Sequence, residues 1–309
     1  MRLSRALAVA LVNILLLVGL LSAQTGAPSL QERLGYPADA RLLIIHADDF
    51  GMSHSVNRAT IEALENGWIT SASIMVPCPW FPEAARWAKA HPQADLGIHL
   101  VLNSEWETYR WGPVAGRDKV RSFLGPDGYF LSDPEQFKNV NPAEAREELS
   151  AQIEKARSAG VRITHLDSHM AALMRFPELF QMYRELGKAE HLPVLFEGRM
   201  GDFAPHGTPI PTADAPIDRV IALEAGIPLK EWTAWYEKEL AALKPGVYQV
   251  IVHLSYDDDE MRAMVSHGED WGPAWRHADL DMVKSQEFQK FLRDQRFILI
   301  GWNVFSRLK

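Results

Sequence analysis

Residues 41–45, Arg-Leu-Leu-Ile-Ile, form an unbroken apolar run that stops at His46-Ala47-Asp48-Asp49-Phe50-Gly51. A strand with one wet face alternates apolar and polar residues. A run without alternation marks a strand covered on both faces, as in a parallel sheet packed by helices. The pattern recurs, with further strands expected over residues 70–76, 94–102, 161–169, 191–196, 246–254 and 296–302. Helical periodicity fills the intervals at 55–66, 81–90, 142–159, 177–188, 229–243 and 280–295. Strands that alternate with helices imply a parallel sheet, here a distorted (β/α) barrel of TIM type in one α/β domain over residues 36–309.

In such a fold the chemistry gathers at the carboxyl ends of the strands. Four expected strand ends carry suitable groups: Asp48 and Asp49, His99, the set His165, Asp167 and His169, and His253. With period-2 alternation, Val161, Ile163, His165, Asp167 and His169 share one face of their strand. Imidazoles with a carboxylate suit a divalent ion that keeps a position open for water. Such an ion lowers the pKa of water and polarises a carbonyl, which is hydrolytic chemistry. Two adjacent carboxylates repel unless one is neutralised. An ion on one leaves the other to act as a general base. Ser168 has no G-x-S-x-G elbow around it, which argues against a serine hydrolase.

Residues 103–141 lose periodicity and cluster Gly, Pro and aromatics, the mark of a lid or binding loop. Residues 201–216 are Pro-rich and irregular. Trp106, Trp111, Trp271 and Trp275 lie in stretches read as irregular, where their faces are expected to pack a loop or stack on sugar rings. Cys78 stands alone and is read as a packing residue, so no intramolecular disulfide exists. The net charge of −8 argues against nucleic acid or an anionic membrane as the main partner. Residues 1–24 have the layout of a secretory signal peptide: Arg2 and Arg5, then an apolar run to Leu21, then small residues. An uncleaved anchor is the rival, and either reading makes this an exported, periplasmic or secreted protein.

Three segments, His46-Ala47-Asp48-Asp49-Phe50-Gly51, Gly97-Ile98-His99-Leu100-Val101-Leu102 and Thr164-His165-Leu166-Asp167-Ser168-His169, resemble the signature motifs of the YdjC-like carbohydrate deacetylases. The similarity runs from about residue 41 to 302 and includes residues 70–76 and Gly128-Tyr129-Phe130. The resemblance implies a distorted (β/α) barrel, one divalent ion, magnesium or zinc, and removal of acetyl groups from N-acetylated sugars. Carried over residue by residue, it makes Asp49, His99 and His169 the metal ligands and Asp48 the general base. His253, or His165, would protonate the leaving amine. The chain departs from the family at Ala171 and Leu173, where histidines are common, which bears on substrate choice and on the acid step. Two rival readings remain: an exported sugar-binding protein without turnover, and a metal-dependent hydrolase of another amide or ester.

Overall fold

The structure, a computed structural model, describes residues 27–197, 217–265 and 270–308. The proposed leader and the Pro-rich stretch up to residue 216 lie outside them. A helical turn at Leu30–Arg33, capped by Ser29, leads into β1, Arg41–Phe50. There follow α1 (His54–Glu65), β2 (Ser71–Ile74), α2 (Phe81–Ala90), β3 (Leu96–Leu100), α3 (Pro142–Ser158), β4 (Ile163–Ser168) and α4 (Pro177–Glu190). The second half adds β5 (Arg219–Ile221), α5 (Trp232–Ala241), β6 (Gly246–Val252), α6 (Asp259–Met264), α7 (Pro273–Lys284), α8 (Gln286–Asp294) and β7 (Ile298–Leu299).

All the strand pairs are parallel, in the order β4-β3-β2-β1-β6-β5. β7 pairs with the start of β1 at Leu42 and Leu43, and β2 with its end, from His46 to Phe50. The result is a half-barrel with helices around it in a single α/β domain. β1 is its centre, and Leu42 to Ile45 are fully buried as their unbroken apolar run requires.

Three expectations change in the structure. β1 continues through the polar segment to Phe50 instead of stopping at His46. Residues 191–196 form no strand; an isolated bridge, Leu166 to Val194, is what pairs there. The single helix expected at 280–295 is two, because Ser285 leaves helical geometry (ψ 136) and caps α8 by accepting from Phe288 N. The first of the two begins at Pro273, so Trp275 lies within α7 and not in a loop.

The connection from β3 to α3 is a packed insertion and not a loose lid. Val120, Phe123, Phe130 and Phe137 are buried, and Trp111 donates its indole N–H to Asn103 O. From α3, Glu148 accepts from the N–H groups of Val114 and Ala115, and Gln152 pairs with both backbone groups of Val101. Buried backbone donors are thereby satisfied without a strand. Cys78 is buried in the core, as expected.

Gly97 is required in β3 because the His165 ring presses on it. A Cβ there would lie 2.3 Å from His165 Nε2. Gly97→Ala is expected to lower stability by about 1–3 kcal/mol in urea unfolding; parent-like stability would mean that the His165 ring moves aside freely.

Candidate active site

β1 delivers two carboxylates in succession because its backbone turns at Asp49, which has φ 68. Such a conformation is uncommon outside glycine, and Asp is among the residues that tolerate it. Gly51 follows at φ 97, and its N–H is held by Asn57 Oδ1 at 2.7 Å from α1. The kink lets Asp48 and Asp49 share one cavity, where strict alternation would place them on opposite faces.

His99 from β3 and His169, just past β4, meet Asp49 there. His99 Nε2 and His169 Nδ1 each lie 3.5 Å from Asp49 Oδ1 and 3.2 Å from one another. The far sides of both rings are engaged. His99 Nδ1 donates to Asp167 Oδ1 at 2.8 Å, and His169 Nε2 donates to Glu105 Oε2 at 3.0 Å. Each ring is thereby held with its other nitrogen facing Asp49, the nitrogen that a bound cation would take in place of a proton, as metal-binding histidines are held by partners on their far side. Asp49 Oδ1 is buried and has no hydrogen-bond partner, while Asp49 Oδ2 accepts from Arg276 Nη1 at 2.8 Å. The centre of this triangle is about 2.0 Å from each atom, the length of a zinc–nitrogen or zinc–oxygen bond.

Two neighbouring groups, His46 with His165 and Asp167, and Asp48 with His99 and Asp167, are also close enough to be considered. Both depend on Asp167, whose oxygens already accept from His99 and His46. Asp49, His99 and His169 form the set whose facing atoms have no hydrogen-bond partner other than one another.

The field of the cavity favours positive charge. Burial opposes a charge on His169, yet Glu105 and Asp49 outweigh it and raise its pKa to about 10. Burial likewise opposes ionisation of Asp49, and Arg276 with His169 more than compensates, holding its carboxyl well below the usual range. Asp167 is lowered in the same way, with His99 and His46 overcoming burial. Asp48 differs. Burial dominates and pushes it up to about 6, its Oδ1 lacks a hydrogen-bond partner, and its Oδ2 is 3.9 Å from His253 Nε2. His253 stands just beyond β6, its backbone N–H held by Asp279 Oδ2 at 2.8 Å, and burial pushes its imidazole down to about 3.

Six residues expected at strand ends thus converge: Asp48, Asp49, His99, Asp167, His169 and His253. His165, expected as an alternative acid, lies deeper than these six, beside His46 and Asp167. It is fully buried near the middle of β4, stacked on Trp302 at 5.1 Å, with Nδ1 against Thr164 Oγ1 and Nε2 against Gly97. Trp111 and Trp275 are buried and unavailable to a ligand. Three participants escaped sequence reading. Glu105 sits in the insertion, Arg276 on α7, and His46 sets Nε2 within reach of Asp167 Oδ2 (3.0 Å), Ser73 Oγ (3.1 Å) and Asp48 Oδ1 (3.4 Å). No spacing signal points to Glu105 or Arg276, whereas His46 lies inside the first motif.

Fold and site together define a (β/α) half-barrel whose strand ends hold a buried Asp/His centre suited to a cation. The sequence profile described as YdjC-like protein matches residues 42–294. A carbohydrate deacetylase from Thermus thermophilus is 33% identical over 278 residues, covering 86% of this chain and 94% of that protein. One from Thermoanaerobacter pseudethanolicus is 26% identical, covering 86% of this chain and all of its own. A solved structure from Enterococcus faecalis V583, provisionally assigned to cellobiose-phosphate cleavage, superposes with a TM-score of 0.71 at 22% identity, covering 85% of this chain and 98% of its own. This chain belongs to the YdjC-like family.

Because Asp167 orients His99, Asp167→Asn should weaken Zn²⁺ binding about 10- to 100-fold in a competition titration against a chelating dye, with the far-UV spectrum retained. Unchanged affinity would show that His99 needs no orienting partner.

Proposed function

We propose that the protein is a metal-dependent deacetylase of N-acetylated sugars, with Asp49, His99 and His169 as metal ligands and Asp48 as general base. The observation that carries this is the pair of histidines held with one ring nitrogen each facing Asp49 Oδ1, beside a second carboxylate, Asp48, that is not so engaged. The names of the curated relatives support the substrate class. When bound, the ion would polarise the amide carbonyl and make a water acidic enough to react near neutral pH. Its identity is left to the donor set, which accepts magnesium or zinc.

The residues of the chain divide the remaining work. Arg276 and the two histidines hold Asp49 ionised, and Asp167 and Glu105 keep both rings oriented. Asp48, with a pKa near 6, is matched to accepting a proton from water around neutrality. A carbon–oxygen bond forms at the acetyl carbon, the carbon–nitrogen bond breaks, and the amine departs with a proton. His253 rests neutral, 3.9 Å from Asp48 Oδ2, so the proton that Asp48 takes from water is the one available to the departing amine. Products are acetate and a free amino sugar.

Acetate release from N-acetylglucosamine and its oligomers, with and without added divalent ions, tests the reading. Release should require the ion. His99→Ala and His169→Ala should lose both ion and activity, and Asp48→Asn should keep the ion while the rate falls about 10²- to 10⁴-fold. Full activity in Asp48→Asn would remove it as the base, and stoichiometric metal with no acetate would turn the reading toward another amide or ester.

We further propose that residues 1–24 direct export. The basic, apolar and small-residue blocks of that segment support this. N-terminal sequencing of the chain from an exporting host should begin near Thr25; an intact Met1 in the membrane fraction would make the segment an anchor.

A further inference from the structure

Among the described residues, seven large apolar side chains stand exposed. Four of them, Trp80, Tyr129, Met170 and Trp271, come from the segments that follow β2, β3, β4 and β6. Apolar surface is therefore concentrated where the carboxyl ends of the strands open.

Trp80 and Trp271 are built alike. β2 and β6 are the sheet neighbours of β1 on its two sides, so these tryptophans follow the strands flanking the one that carries Asp48 and Asp49. Each indole has one face backed by another ring: Trp271 stacks on Trp275 at 4.8 Å with planes 21° apart, and Trp80 lies against His54 at 4.9 Å and 30°. Both remain open to solvent, 43% for Trp271 and 37% for Trp80.

Each is also clamped to the same stretch of β1. The carbonyl of Trp271 accepts from Arg276 Nε at 2.9 Å, and the other end of that guanidinium holds Asp49. The carbonyl of Trp80 accepts from Asn57 Nδ2 at 3.2 Å, and Asn57 Oδ1 holds the N–H of Gly51. Arg276 and Asn57 are buried, so these clamps are rigid. Trp271 is moreover held at φ 55, unfavourable for a bulky residue. Strain of this kind persists when surroundings over-determine it, and it collects at functional sites. A tryptophan that merely covers a loop needs neither a backing ring nor a tether to the strand segment that carries the reacting carboxylates.

We propose that Trp80 and Trp271 are paired stacking platforms for sugar rings on either side of the ring whose acetyl group is attacked, and that they set a preference for a chain over a single sugar. A pyranose presents an apolar C–H face that an indole covers, while its hydroxyl rim stays wet. The inference rests on the sugar reading above.

The test is isothermal titration of the metal-loaded Asp48→Asn protein with N-acetylglucosamine, its dimer and its tetramer. The tetramer should bind at least about tenfold tighter than the single sugar. Trp80→Ala and Trp271→Ala should each cost about five- to tenfold on the tetramer, with single-sugar affinity unchanged, and Trp271→Phe should keep most of the gain. Absence of a chain-length preference, or a preference that survives both alanine substitutions, overturns the platforms. The two readings fail separately. Acetate released equally from single sugar and tetramer by parent and tryptophan variants would leave the deacetylase without its platforms. Tryptophan-dependent tetramer binding without acetate release would leave the platforms on a different activity.

Discussion

The carboxylate of Asp167, shared between His99 and His46, is the contact on which the rest of this site depends. It is buried with both imidazoles, at 2.8 Å from one and 3.0 Å from the other. A charge taken out of water is costly unless its lone pairs are satisfied. Removing one partner of such a buried pair typically costs about 3–5 kcal/mol. Asp167 therefore cannot turn, and neither can the rings it holds. His99 is left with its other nitrogen facing Asp49, and His46 with its Nε2 also within 3.4 Å of Asp48. His46 Nδ1 has no partner. His46 therefore makes its polar contacts through Nε2 alone. One carboxylate in β4 thus sets the geometry of both acids in β1.

The sheet explains why this is reliable. β1 is paired along its length, so the kink at Asp49 occurs at a fixed height. β3 and β4 are paired with His99 opposite Asp167. Register therefore brings those two side chains together without help from loops. Glu105 and Arg276 arrive from outside the sheet, and each is fixed by something rigid: Glu105 by an insertion packed on α3, Arg276 by α7 and the Trp271 carbonyl.

Much of this was legible because strands are local. The run from Leu42 to Ile45, the helix at residues 81–90 and the histidines at strand ends are each read from neighbours in sequence. What failed had physical causes. Residues 191–196 have strand composition but make one isolated bridge, because pairing depends on a neighbour and not on composition. Ser285 sits inside a helical period yet caps a new helix, a choice between two hydrogen-bonding uses of one hydroxyl. His165 shares a face with Asp167 and His169, but depth along a strand is invisible to a period of two. Glu105 and Arg276 reach the site across 64 and 227 positions of chain, respectively, and no local pattern encodes such a meeting.

The expectation of histidines at positions 171 and 173, where this chain has Ala171 and Leu173, can be set against this geometry. The chain leaves β4 through two left-handed residues, Met170 at φ 51 and Ala171 at φ 52, and Ser168 Oγ then accepts from Leu173 N. Leu173 is fully buried and belongs to the main apolar core. A histidine there would need a buried partner, and the leucine needs none. The inward ring nitrogens come from His99 and His169, whose orienting carboxylates are Asp167 and Glu105, so neither Ala171 nor Leu173 leaves the cluster short of a donor. Met170, just before Ala171, is exposed, whereas Leu173 is not. With leucine and alanine at these positions, the Asp/His centre still has both of its histidines and both of the carboxylates that orient them.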